Sequence, residues 1–166
     1  VRAVSVVDEL VSNSRIHAMA YTTAGVHGRP ARSIAIVTCM DARINVESLF
    51  GLRTGDAHII RNAGGIITDD ALRSLVISQR LLGTREILLL HHSDCGLMRL
   101  DETKFARQVE QEMGQRLPFK LGGFSDLDLD VRHSLEVVRS FAFLPARNEV
   151  RGFVYDVANA TLREVS

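Results

Sequence analysis

The chain has 166 residues, enough to bury a core and few enough for one domain spanning 1–166. Its 46% hydrophobic and 24% charged residues exclude a disordered chain, and no run reaches the about eighteen apolar residues of a membrane span. Twenty basic residues balance twenty acidic ones, which argues against nucleic acid as a partner and favours a small neutral or singly charged substrate. Val1 to Leu10 carries Asp8 and Glu9 and lacks the basic start and apolar run of a secretory signal, so a cytoplasmic location is expected.

Val4, Val7, Leu10 and Val11 suggest an N-terminal helix. Ser33 to Thr38 and Ala57 to Arg61 then read as buried strands. Thr68 can cap a helix with Asp69 and Asp70 in its first turn and Leu72, Leu75 and Val76 on its apolar face, stopping at Gly83. Glu86 to His91 contains Ile87-Leu88-Leu89-Leu90, which does not alternate, as expected of a strand covered on both faces of a parallel sheet. Phe105, Val109 and Met113 place an amphipathic helix over about 103–116, ended by Leu117-Pro118. Ser125 with Asp128 resembles a capping box before the stripe Val131, Leu135, Val138. Val150 to Val157 is a fourth strand, and Thr161 to Val165 a candidate edge strand turning back on it. The alternation predicts a three-layer α/β/α domain around a mostly parallel sheet of four strands plus an antiparallel edge strand.

In such a sheet the binding crevice lies beyond the carboxyl ends of the strands, where the connections reverse direction. Cys39 follows the first strand, and His92 and Cys95 follow the third. One disulfide would also account for two cysteines, but two thiolates and an imidazole suit zinc and leave a fourth tetrahedral position open. In isolation, Cys39 reads equally well as a buried thiol and His92 as a hydrogen-bonded loop residue. Cys39-Met40-Asp41-Ala42-Arg43 adds a carboxylate and a guanidinium able to pair bidentately beside a proposed ligand; an ordinary surface ion pair is the plainer reading. Gly64-Gly65 reads as a tight strand-to-helix turn ahead of an anion site, and no GxGxxG or GxxxxGK nucleotide motif occurs.

Together, Cys39-x-Asp41-x-Arg43, Arg61-Asn62-Ala63-Gly64-Gly65 and His92-x-x-Cys95-Gly96 resemble the β class of carbonic anhydrases, in its small prokaryotic branch. The resemblance implies one zinc per chain on Cys39, His92 and Cys95, a catalytic pair of Asp41 and Arg43, and a homodimer or homotetramer. It also implies reversible hydration of carbon dioxide to bicarbonate and a proton by a zinc-bound hydroxide. By alignment, His58, Ala63, Gly64 and Gly96 are expected around the substrate. Pro30 stands where plant-type members carry a bicarbonate-binding glutamine, so their pocket cannot be copied onto this chain. His91 is assigned to packing or support, and Asp94 to a hydrogen bond with backbone or with a group beside the ligands. Hydrolysis of carbon disulfide or carbonyl sulfide is the enzymatic alternative, and a non-catalytic zinc-stabilised binding module the alternative of another class.

Overall fold

The computed structural model describes residues 5–22 and 25–166, so Val4 of the first helix lies outside the described residues. Helix α1 (Val6–Met19) is capped by Ser5, whose hydroxyl accepts from the Asp8 N–H while the Asp8 carboxylate accepts from the Ser5 N–H. The described elements continue as β1 (Ile34–Cys39), α2 (Val46–Phe50), β2 (Ala57–Asn62), α3 (Asp69–Arg80), β3 (Glu86–His92), α4 (Glu102–Met113), α5 (Leu127–Ser140), β4 (Val150–Tyr155) and β5 (Leu162–Val165). The five strands form one sheet in the order β2-β1-β3-β4-β5; the first four are parallel and β5 is antiparallel to β4.

Strand alternation sends Ala35, Val37, Ile87 and Leu89 to one face, where Leu72 and Leu75 of α3 and Val131, Leu135 and Val138 of α5 close the main core. Burying each of the valine, leucine and isoleucine side chains among them contributes about 1.5–3 kcal/mol. The opposite face carries Ile36 and Leu90 with Ile44, Val46, Cys39 and Cys95, covered by α2 and a 3-10 turn at Gly96–Arg99. That second cover is thin, and the metal-ligating candidates lie within it.

Four expectations shift. The strand predicted as buried at 57–61 is a half-buried edge strand, because β2 has a neighbour only in β1. Helix α4 starts at an Asp101 cap and ends at Gly114 in the left-handed conformation, ahead of Leu117-Pro118. Asp126, not Ser125, caps α5 by accepting from the Leu129 N–H. The fourth strand stops at Tyr155, where Asp156 begins the turn into β5.

Candidate metal centre and active site

The chain leaves β1 toward β2 on one side and returns to β3 on the other, so the connections reverse between β1 and β3. Cys39 ends β1 and His92 ends β3 on the carboxyl edge of that junction, and Cys95 follows after a two-residue turn. All three are buried, and the ligand atoms they offer lie within 4.8 Å of one another. The His92 Nδ1–H donates to the Ser93 carbonyl at 2.8 Å, since a carbonyl oxygen can only accept. The lone pair therefore sits on Nε2, which is buried without a hydrogen-bond partner and belongs to the cluster.

Burial raises the Cys39 thiol, but the adjacent His92 imidazole and hydrogen bonds from the Asp41 and Gly64 N–H groups outweigh it and bring it down to about 7. The Gly64 N–H lies 3.3 Å from the Cys39 sulfur. At Cys95 burial prevails and the adjacent Cys39 adds to it, so that thiol is pushed up. Burial opposes charge on His92, yet Cys39 and the Ser93 carbonyl raise its pKa overall. Two adjacent thiols resist ionising together, and a divalent cation between them removes that conflict. The orphaned imidazole nitrogen and paired thiols thus fit a borderline-soft metal ion.

Beside the cluster, Arg43 grips Asp41 bidentately, Nε to Oδ1 at 3.0 Å and Nη2 to Oδ2 at 2.8 Å. These bonds hold the Asp41 carboxyl well below the usual carboxylate range against a smaller opposing effect of burial, and they raise Arg43 further above its ordinary value. Asp41 Oδ2 is 3.9 Å from His92 Nε2, so the carboxylate borders the cluster while bound to Arg43.

The surrounding chain fixes this geometry. Arg61 at the end of β2 donates to the carbonyls of Cys39, Asp41 and Ile44 at 3.0, 2.7 and 3.0 Å, stapling the loop that carries the pair. The Met40 N–H donates to the Asn62 carbonyl, and Asn62 Nδ2 donates to the Ile66 carbonyl. Gly65 has φ 69°, and a Cβ there would lie 2.9 Å from the Cys39 nitrogen and the Thr38 carbonyl carbon, so only glycine lets the turn approach the end of β1. The Ser93 hydroxyl donates to Asp156 and accepts from the Val157 N–H, bracing the ligand turn against the β4–β5 connection.

The structure thus brings together Cys39, Asp41, Arg43, Gly64, His92 and Cys95. Ala63 opens the 3-10 turn that carries Gly64, and Gly96 follows Cys95 on the exposed side of the ligand turn. His58 is a correction: it pairs in register with Ala35, four positions back along the strands from the Asn62–Cys39 pair, about 13 Å at strand rise. Its ring faces α3, with Nδ1 bonded to the Ser78 hydroxyl and Nε2 to the Gly28 carbonyl, so it does not line the cluster of its own chain. His91 points to the other face of the sheet, fully buried, with Nδ1 3.0 Å from Asp130 Oδ2 and its ring tilted against Phe124. Sequence reasoning missed the triple staple of Arg61, although the residue lay in a recognised motif. It also missed Arg99, which reaches Asp94, and nothing in its local pattern marks it.

A family model described as carbonic anhydrase matches residues 34–119. Beta-carbonic anhydrase 1 of Mycobacterium tuberculosis is 48% identical over 137 residues, 82% of this chain and 84% of that protein. Carbon disulfide hydrolase of Saccharolobus solfataricus is 34% identical over 158 residues, 80% of this chain and 77% of that one. Among solved structures, the carbonic anhydrase of Streptococcus mutans matches with a TM-score of 0.91 and 37% identity, covering 98% of each chain. On the family-model match, the 48% identity and the structural likeness, the chain belongs to the β-carbonic anhydrase family.

Proposed function

We propose that the protein is a zinc carbonic anhydrase that reversibly hydrates carbon dioxide to bicarbonate and a proton. The observation that carries this reading is the Cys39, His92, Cys95 cluster at the switch point of the sheet, with the ion-paired Asp41 on its border. Those three side chains would hold one zinc per chain, which would supply a Lewis acid able to make water a usable nucleophile. Asp41 accepts the nucleophile's hydrogen bond and so aims its lone pair at the carbon, while Arg43 keeps the carboxylate ionised and fixes its direction. Ala63, Gly64 and Gly96 form the small-residue wall beside the reacting carbon, with Leu97 against Gly64 supplying an apolar surface. Two thiolates add negative charge at the centre, so hydration is expected to rise toward alkaline pH.

The 34% identical carbon disulfide hydrolase favours a second reading, hydrolysis of carbon disulfide at the same centre. Stopped-flow hydration of carbon dioxide, set against sulfide release from carbon disulfide by the same zinc-loaded sample, separates the two. Fast hydration with negligible sulfide is expected; sulfide release without hydration would replace the first reading with the second.

The working unit is a homodimer or homotetramer on this reading. No side chain of α1 is buried, and Val6, Val7, Leu10 and Val11 are each at least half exposed, an apolar stripe suited to a second copy. A cytoplasmic location is supported by the need to keep both thiols reduced as ligands. No helix among the described residues is long and apolar enough to cross a membrane.

A further inference from the structure

Arg43 serves two carboxylates. Its Nε and Nη2 edge holds Asp41, while Nη1 donates to Asp94 Oδ2 at 2.9 Å and Nη2 donates to the Asp94 carbonyl at 3.1 Å. Four of its five guanidinium N–H groups are therefore committed. Asp94 sits between the two ligands His92 and Cys95 and has φ 55°, one of three positive-φ residues other than glycine among the described residues. That left-handed turn sets its carboxylate and its carbonyl on the same guanidinium. Its remaining oxygen, Oδ1, pairs with Arg99 at the end of the 3-10 turn.

Stability does not explain this chain of charges. The Arg99 side chain is 80% exposed, and those of Asp94 and Arg43 are 44% and 47% exposed. Pairs this exposed contribute little to stability. A backbone held in the left-handed region for so little stabilisation points to a geometric role. A guanidinium on a flexible stem facing a single carboxylate can swing with it; gripped at its far edge by a second carboxylate, it cannot.

We propose that Asp94, steadied by Arg99, is a positioning residue for the reaction: it anchors Arg43 so that Arg43 holds Asp41 in its orienting pose and off the metal. The proposal rests on the carbonic anhydrase reading and deepens it. The relay runs Arg99 to Asp94 to Arg43 to Asp41, whose carboxylate lies 3.9 Å from His92 Nε2. Because Asp94 lies in the ligand turn itself, the pose of the pair is tied to the position of His92 and Cys95.

The test compares Asp94→Asn, Arg99→Ala, Arg99→Lys and Arg43→Ala in zinc-loaded and cobalt-substituted protein. Asparagine tolerates the left-handed turn, so Asp94→Asn should keep one metal per chain and melt within about 2 °C of wild type. Its kcat should fall roughly tenfold with KM changed less than about twofold, because orientation and not binding is lost. Arg99→Ala should lower kcat by roughly threefold, and Arg99→Lys should restore it. The cobalt absorption spectrum of Asp94→Asn should move toward that of Arg43→Ala, since Asp41 is released toward the metal in both. The proposal is overturned if Asp94→Asn and Arg99→Ala keep wild-type kcat and the wild-type cobalt spectrum, or if Asp94→Asn loses activity only in proportion to lost metal. Should wild type show no hydration, the carbonic anhydrase reading fails; the cobalt comparison then decides alone, a shift toward Arg43→Ala upholding the positioning role and an unchanged spectrum ending it.

Discussion

Gly65→Ala tests how tightly the second motif is tied to the first ligand. Gly65 has φ 69°, where a residue with a Cβ costs about 1–2 kcal/mol. The added carbon would also stand 2.9 Å from the Cys39 nitrogen and the Thr38 carbonyl carbon, against 3.4–4 Å for ordinary contact. Both are backbone atoms at the end of a central strand, so no side chain can swing clear, and the overlap adds roughly 1–3 kcal/mol. A total near 2–5 kcal/mol lowers Tm by roughly 5–15 °C in a domain of this size. Any relief that moves Cys39 also disturbs the Gly64 N–H to sulfur contact, so zinc retention should fall alongside. Gly96→Ala is the control: it too lies in a recognised motif, but its added carbon meets nothing within 4 Å, and its melt should stay within about 2 °C of wild type. Thermal melts and metal analysis of the two variants decide it. A Gly65→Ala protein with the wild-type Tm and full zinc, or a Gly96→Ala protein equally damaged, would refute the close-approach argument.

Metal analysis should give about one zinc per chain, and Cys39→Ser should lose most of it; full retention would remove Cys39 from the ligand set. Arg43→Ala should lower hydration by at least about tenfold with zinc retained, and wild-type rates in that variant would dismiss the Asp41–Arg43 pair as a mere surface contact. Light scattering at micromolar concentration should give a mass of two or four chains, and a double change of Leu10 and Val11 to Asp should shift it toward the 18.4 kDa of one chain; no shift would absolve α1. Hydrogen bonds from Arg163 hold the Asp128 carboxyl below its ordinary value, so this pair supports the fold above the unfolded range near pH 4 and loses its effect as pH falls through the lowered folded value. Arg163→Ala should therefore flatten the decline of Tm below about pH 5, and an unchanged slope would show the pair to be inert.

Elements with strong periodicity or long apolar runs were legible within a residue or two: β1, β3 and α3 fall where the apolar runs and the Thr68 cap put them. Helix α2 was not, because five residues give no period to read. The depth of β2 was misjudged for another reason, since Ala57-His58-Ile59-Ile60 reads as buried and only the strand order makes it an edge. The ligand cluster was readable because its three residues end or follow strands that run parallel side by side. The network around it was not, because Arg61 acts on carbonyls up to twenty-two residues away and Arg99 acts through the conformation of Asp94. His58 shows the converse, an aligned position whose meaning within one chain is undone by its distance along the strand.

The most direct test of the central claim is a zinc titration of metal-free protein followed by stopped-flow hydration of carbon dioxide at fixed alkaline pH. The rate should climb in proportion to zinc, break at one equivalent per chain, and remain at the spontaneous rate throughout in His92→Ala. Zinc uptake to one equivalent with no gain over the spontaneous rate would contradict it.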